Sequence, residues 1–177
     1  VTGKPLVLGG SLGRVEATGR GVMVSALAAM EKLKINPYHA TIAVQGFGNV
    51  GSFAALLLEE RGCTVVSISD ISGAYYNEKG IDIKKAIEYR DANKGTLEGF
   101  KGATLMEKPE ELLVLDVDVL VPAAVEDVIH LGNVNHIKAK ICRETSIYIY
   151  NFLAVTRLPR TVFHNHIHIK GLTLLLR

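Results

Sequence analysis

The chain has 177 residues, of which 48% are hydrophobic and 21% charged, with a formal net charge of +2. These values are typical of one soluble globular domain and do not indicate a nucleic-acid-binding protein. The most apolar stretch, Leu112 to Val125, contains Asp116 and Asp118 and is shorter than the ~20 apolar residues of a membrane helix, so we expect no membrane segment.

The charge distribution divides the chain near residue 142. Residues 142–177 carry five basic residues and one acidic residue, a net charge of +4, whereas residues 1–141 carry 15 bases and 17 acids. This break predicts a main domain followed by a basic tail. The two cysteines, Cys63 and Cys142, have no metal-ligand spacing, and no signal-peptide pattern opens the chain, so we expect a reduced, cytoplasmic protein.

The first predicted element is a helix over residues 15–34, in which apolar residues recur at helical intervals. Gly19 and Gly21 are unusual there, because each glycine costs ~1 kcal/mol inside a helix. Two explanations stay open on these residues alone: close packing against a neighbouring element, or close approach of a ligand.

A β-α-β unit follows. Residues 41–45 read as a short buried strand, and the glycine-rich stretch 46–51 comes directly after it. Residues 50–61 read as a helix with an Ala/Leu face, and residues 64–69 as a second strand that ends at Asp70. About 30 residues is the usual size of a parallel crossover unit.

The later elements continue this alternation. Asp82 is a predicted N-cap for a helix through Asn93, and residues 110–115 form a short helix. A strand over 117–121, a mostly helical stretch over 126–137 and a strand beginning at 139–142 complete the series. The alternation predicts an α/β, Rossmann-like, doubly wound fold, with a mostly parallel sheet and helices on both faces.

The glycine-rich stretch reads Gly46-Phe47-Gly48-Asn49-Val50-Gly51 and matches the GxGxxG pattern between a strand and a helix. Gly46 permits the tight turn, Gly48 lets a pyrophosphate approach the backbone, and Gly51 lets the helix pack on the strand. The amides of Asn49 and Val50 would face the phosphates at the positive end of the helix dipole. A glycine-rich turn without a ligand is the alternative.

Asp70 ends the second strand 24 positions after Gly46, where a carboxylate can accept hydrogen bonds from the adenosine ribose. It could equally be a turn residue in Asp70-Ile71-Ser72-Gly73, and the two roles are compatible. Because residues 71–74 include no Arg or Lys to bind a 2′-phosphate, NAD is favoured, with NADP as the alternative.

Pro122-Ala123-Ala124 follows the strand at 117–121, and its small side chains leave room for a ribose, although an ordinary strand-to-helix turn would look the same.

Several ordered motifs together resemble the coenzyme domain of the glutamate dehydrogenases, within the Glu/Leu/Phe/Val dehydrogenase family. They are residues 9–14, 17–22, 46–51, 69–73, 116–124 and 137–141. The resemblance covers residues 1–141, which we therefore predict to be the dinucleotide-binding domain. It implies oxidative deamination of glutamate to 2-oxoglutarate and ammonia, with hydride transfer to the nicotinamide, in an enzyme that is a homo-oligomer when intact.

The resemblance also implies roles for individual residues. Thr18 would bond the nicotinamide carboxamide, and Gly19 and Gly21 would face the nicotinamide end. The Gly46–Gly51 turn, Phe47 included, would hold the pyrophosphate through Asn49 and Val50. Asp70 would bind the adenosine ribose, and Ala123 and Ala124 would line the ribose channel.

Two departures from the family pattern limit the prediction. The substrate domain that precedes this region in the family, with its catalytic lysine and proton-handling aspartate, is missing, so we assign no catalytic residue and expect the chain to be inactive alone. Glutamate and 2-oxoglutarate would be partners only together with that domain. After Ile141 the family's Glu-containing strand and Ala-Asn-Gly-Pro-Thr-Thr segment are absent. A frame-shifted or otherwise altered ending would explain the divergent tail at 142–177.

The tail holds His164, His166 and His168, which would share one face of a strand. Such a group can bind Zn²⁺ or Cu²⁺, but no fourth ligand is evident, so an accidental cluster is favoured and no metal is predicted. Three hypotheses remain for the chain: the coenzyme domain of a glutamate dehydrogenase, a non-catalytic NAD-binding module, and a non-functional remnant.

Overall fold

A computed structural model describes residues 4–124, 128–130, 132–143, 145 and 162–163. It contains three α-helices and seven strands within these residues. The helices are α1 (Ala17–Leu33), α2 (Asn49–Glu59) and α3 (Ile83–Ala92). The strands are β1 (Thr41–Gln45), β2 (Thr64–Asp70), β3 (Gly73–Tyr76), β4 (Thr104–Leu105), β5 (Val119–Pro122), β6 (Ile141–Cys142) and β7 (Val162–Phe163).

The seven strands form one sheet in the order β4-β3-β2-β1-β5-β6-β7. Strands β2, β1, β5, β6 and β7 are parallel, and β3 and β4 are antiparallel additions at one edge. The predicted α/β fold with a mostly parallel sheet is therefore confirmed. Strand β1 pairs with β2 along one edge and with β5 along the other. The strand order therefore reverses beside β1, and a crevice lies at this point.

Local sequence explains where the helices begin and end. Helix α1 ends at Lys34, which adopts the left-handed conformation (φ 55°) and donates its backbone amide to the carbonyls of Met30 and Glu31. Helix α3 begins at Asp82, whose carboxylate accepts a hydrogen bond from the Lys85 amide, as predicted. Helix α2 begins directly after Gly48 without a side-chain cap.

Hydrophobic layers cover both faces of the sheet. Helices α1, α2 and α3 bury one face, where Ile42, Val44 and Val121 lie in the same cluster as residues of the helices. Ala43, Leu120 and Cys142 point to the opposite face.

Among the described residues, two 3-10 helices cover this opposite face, and the first of them agrees with the short helix predicted over 110–115. Pro109–Val114 forms one of them and contributes Leu112 and Leu113. The prediction of a mostly helical stretch over 126–137 is wrong for its described residues, because their helical part is the 3-10 turn Val134–His136. Asn133 holds this region by donating its side-chain amide to the Val128 carbonyl (2.7 Å) and accepting from the His130 amide.

Residues beyond position 142 also contribute to the fold. Arg143 is only 4% exposed and donates from Nε to the Ser25 hydroxyl on α1 at 2.6 Å. Burial lowers the pKa of its guanidinium. Thr145 donates to the carbonyl of Pro122, and Val162–Phe163 pairs with β6. Within the described residues, no helix has the length and apolar character that crossing a membrane requires.

Candidate functional site

A cavity of about 1000 Å³ lies at the carboxyl ends of β1, β2 and β5. Its walls include the Gly46–Asn49 turn after β1, the end of β2 at Asp70, and Ala123 and Ala124 after β5. Ligands of open α/β sheets bind in this crevice, beyond the carboxyl ends of the strands. The fold thus brings together seven of the ten predicted cofactor-binding residues, namely Gly46, Phe47, Gly48, Asn49, Asp70, Ala123 and Ala124.

Gly46 links two of these walls. Its φ of +91° lies in the left-handed region, which glycine adopts without steric cost. A Cβ atom there would also lie 2.7 Å from the amide nitrogen of Ala124 and 2.8 Å from the carbonyl of Ala123. The turn after β1 and the segment after β5 can therefore approach each other only if residue 46 is glycine.

Gly48 and Gly51 have different surroundings. A Cβ on Gly51 would collide with the Gly46 carbonyl oxygen, so this glycine lets α2 pack on the turn. A Cβ on Gly48 would meet no atom within 4 Å, because Gly48 faces open space at the cavity. Since no side chain caps α2, its first backbone amides are available to an anion. This cradle fits the pyrophosphate of a dinucleotide.

Asp70 is held in a turn by protein donors. Oδ1 accepts from the Ser72 amide at 2.8 Å and from the Ser72 hydroxyl, and Oδ2 accepts from the Leu97 amide at 2.6 Å. The turn role considered for Asp70 is therefore present. A carboxylate offers about four acceptor positions, so this role leaves acceptor capacity for a ribose hydroxyl.

The remaining predicted residues do not line the cavity. Thr18 is exposed on α1, and Val50 is half-buried against the core. Gly51 acts through packing. The neighbouring Gly19 is explained by packing as well, because a Cβ there would lie 2.7 Å from the Phe53 Cβ on α2.

Arg90 lines the cavity although sequence reasoning did not identify it. It comes from α3, donates from a terminal guanidinium nitrogen to the Phe47 carbonyl at 2.7 Å, and lies over the Phe47 ring at 5.5 Å. Its other donors bind Asp91. Residues 47 and 90 are far apart in sequence, and Arg90 lies outside residues 71–74, so the sequence around Asp70 does not indicate this cation.

No metal-binding group of three or more His, Cys, Asp or Glu side chains occurs within the described part of the chain. The trio His164, His166 and His168 lies outside the described residues.

Comparisons with known proteins identify relatives of this domain. The family model "Glutamate/Leucine/Phenylalanine/Valine dehydrogenase" matches residues 9–152. A glutamate dehydrogenase of Thermotoga maritima is 55% identical over 141 residues, which are 79% of this chain and 33% of the relative. The chain therefore spans about a third of the length of that relative.

Solved structures agree in fold. The glutamate dehydrogenase of Peptoniphilus asaccharolyticus is 34% identical with a TM-score of 0.73, over 98% of this chain and 40% of its own. The hetero-hexameric glutamate dehydrogenase of Thermus thermophilus, in a Leu-bound form, is 31% identical with a TM-score of 0.70, over 81% of this chain and 33% of its own. On its sequence match and its fold, the chain belongs to the Glu/Leu/Phe/Val dehydrogenase family.

Proposed function

We propose that this chain is the NAD(P)-binding part of a glutamate dehydrogenase. The observation that carries the proposal is the Gly46–Gly51 turn, in which Gly46 and Gly51 permit close packing while Gly48 opens onto the cavity in front of the uncapped end of α2. The identity of 55% to a glutamate dehydrogenase supports glutamate as the substrate of the whole enzyme. Residues 1–141 would form this domain.

Each wall of the cavity would serve one part of the cofactor. The amides of Asn49 and Val50 would hold the pyrophosphate, Asp70 would accept hydrogen bonds from the adenosine ribose, and Ala123 and Ala124 would line the ribose channel. Thr18, at the exposed start of α1, would meet the nicotinamide carboxamide. The nicotinamide supplies hydride chemistry when bound, and the protein supplies binding and orientation.

NAD is the favoured cofactor and NADP the alternative. The Asp70 carboxylate repels a 2′-phosphate, whereas Arg90 brings a positive charge to the same cavity. Asp91 pairs with Arg90 and offsets part of that charge. The Asp70 carboxylate therefore decides the preference for NAD over NADP. Oligomeric assembly and a cytoplasmic location are part of this proposal.

Binding of NADH by the isolated chain tests the proposal. We expect a saturable change in NADH fluorescence, and a matching heat of binding in calorimetry, from protein whose circular dichroism and cooperative melting show that it is folded. A folded sample that binds no NADH at roughly millimolar concentration, a weak limit for a specific site, would contradict the proposed function.

A further inference from the structure

The side chain of Gln45 has an unusual environment. Its carbonyl oxygen, Oε1, is buried and has no hydrogen-bond partner among the described residues. A buried polar atom without a partner costs free energy, and such atoms are rare in folded proteins. Gln45 also lines the cavity, so the residue that carries this acceptor lies beside the space that a ligand would occupy.

The sheet register fixes the position of this oxygen. Gln45 pairs with Ser69 on β2 and with Pro122 on β5, so it ends the central strand between both neighbours. Its side chain lies on the same face as Ala43, two residues earlier, which is the face opposite to α1, α2 and α3.

The two ribose positions of the proposed function flank this residue. Asp70 directly follows the partner Ser69, and Ala123 directly follows the partner Pro122. A ribose offers hydroxyl donors, which are the complement that an acceptor oxygen requires.

We propose that the Gln45 carbonyl oxygen accepts a hydrogen bond from a ribose hydroxyl of the bound dinucleotide. This inference rests on the proposed function. Either ribose has the required chemistry, and the two can be distinguished by probes that contain one or both of them. The acceptor has no partner among the described residues of the free protein and gains one with the ligand, so Gln45 contributes to binding and not to the stability of the free protein.

Gln45 is the only glutamine in the chain, which permits a direct measurement on the unaltered protein. Glutamine labelled with ¹³C at the side-chain carbonyl gives a single side-chain carbonyl resonance. We expect saturating NADH to shift this resonance in the direction of a newly accepted hydrogen bond. A resonance that does not move when NADH is demonstrably bound overturns the inference and leaves the proposed function intact.

A matched pair of variants tests the energetic part. Gln45→Met removes the acceptor and should weaken NADH binding roughly three- to tenfold, the range of one neutral hydrogen bond, without lowering the Tm of the free protein. The control is Ser67→Ala on the same face of β2, because the Ser67 hydroxyl donates to the Tyr75 carbonyl at 2.9 Å and does not line the cavity. It should lower the Tm and leave NADH affinity unchanged.

ADP, which lacks the nicotinamide ribose, identifies the donor. If Gln45→Met weakens ADP and NADH binding equally, the donor is the adenosine ribose, and if it weakens NADH binding alone, the donor is the nicotinamide ribose. A Gln45→Met protein that binds NADH as tightly as the unaltered chain, or that loses Tm as Ser67→Ala does while keeping its affinity, refutes the role in binding. Absence of NADH binding by the unaltered chain would instead reject the proposed function.

Discussion

Gly48 and Gly51 lie three residues apart in one turn, and their surroundings separate a binding role from a folding role. Gly51 is enclosed, so Gly51→Ala forces a methyl group onto the Gly46 carbonyl oxygen. We expect it to lower the free energy of unfolding by about 1–3 kcal/mol or more, as overpacking does.

Gly48→Ala is the matched variant, because its Cβ would enter open space. It should change stability by less than about 1 kcal/mol, the scale of an N-cap substitution. It should also weaken NADH binding about tenfold or more, which corresponds to ~1.4 kcal/mol, because the methyl group occupies the approach to the phosphate. Urea unfolding and NADH titration of both variants measure the two effects. Equal losses of stability would contradict this assignment.

Asp70 determines the cofactor preference in the proposed function. Asp70→Asn retains one acceptor oxygen for the turn but removes the negative charge, so it should weaken NAD binding more than NADP binding. The expected change in preference is about 1–3 kcal/mol, the scale of hydrogen bonds to charged groups. Titrations with both cofactors measure it. Asp116→Asn removes an equal charge at an exposed position outside the cavity and should leave the preference unaltered, whereas an equal loss for both cofactors in Asp70→Asn would show that Asp70 does not contact the ribose.

Single residues could be assigned from the sequence where their task is local. Gly46 is an example, because its left-handed φ is a requirement of the turn itself and depends on residues adjacent in sequence. Arg90 and Gln45 could not be found in this way. The contact of Arg90 with Phe47 joins residues from distant parts of the sequence. The Gln45 oxygen lacks a partner among the described residues, which depends on how the neighbouring strands pack around it.

At the scale of elements, the strong periodic segments were predictable, as were the short helix Pro109–Val114 and strand β6, whereas other short elements were not. Strand β1 and helix α2 begin within one residue of their predicted positions. Strands β3 and β4, of four and two residues, were not predicted, because short strands carry too little pattern and depend on pairing with β2. The 3-10 helix Val134–His136 lies in a stretch that was predicted to be mostly helical, but tertiary contacts decide its conformation.

Asp118 joins three strands at the end of the sheet opposite to the cavity. It accepts hydrogen bonds from the Thr41 amide and hydroxyl at the start of β1 and from Lys140 before β6 (2.7 Å). Burial raises the pKa of this carboxyl, but the hydrogen bonds from Lys140 and Thr41 outweigh it, and the net pKa lies below the ordinary value. The charged form is therefore the one that the fold stabilises.

A lowered pKa in the folded state gives a stabilisation that is complete above the unfolded pKa of Asp, about 3.9, and is lost as the pH falls through the folded value. Asp118→Asn should lower the free energy of unfolding by about 1–2 kcal/mol at neutral pH. As the pH falls from about 5 to 3, this variant should lose less stability than the unaltered chain. Lys140→Met should also reduce the loss of stability over this pH range, because it removes the strongest partner of the charged Asp118 carboxylate. Urea unfolding across this pH range measures it, and an unchanged slope in Asp118→Asn would contradict the assignment.

At the scale of the whole molecule, the sheet order explains why the proposed site lies where it does. The reversal of strand order beside β1 opens a crevice, and the turns after β1, β2 and β5 all end at that crevice. The sequence predicted this architecture because each parallel strand is followed by a recognisable turn. It predicted less of the region beyond residue 142, where the composition changes. The structure nevertheless brings Arg143, Thr145 and Val162–Phe163 into contact with the sheet or α1.

The 177-residue chain alone should have no glutamate dehydrogenase activity, even when saturated with NAD. It spans 33% of the Thermotoga relative, and binding a nicotinamide does not by itself position a substrate carbon next to it. Positioning can contribute about 7–11 kcal/mol of a barrier, and general acid–base groups typically add about 10²–10⁴-fold. We expect both contributions from the part of the family enzyme that this chain does not span.

The assay is NADH formation with saturating glutamate, using protein purified from a host that lacks its own glutamate dehydrogenase. The Gly48→Ala variant is the control, because activity from a contaminant would be the same in both preparations. Turnover near ~1 s⁻¹, the lower end of typical enzyme rates, that disappears in Gly48→Ala would show that residues within this chain form a catalytic site. His164, His166 and His168 would then be the first residues to replace, because imidazoles can transfer protons near neutral pH.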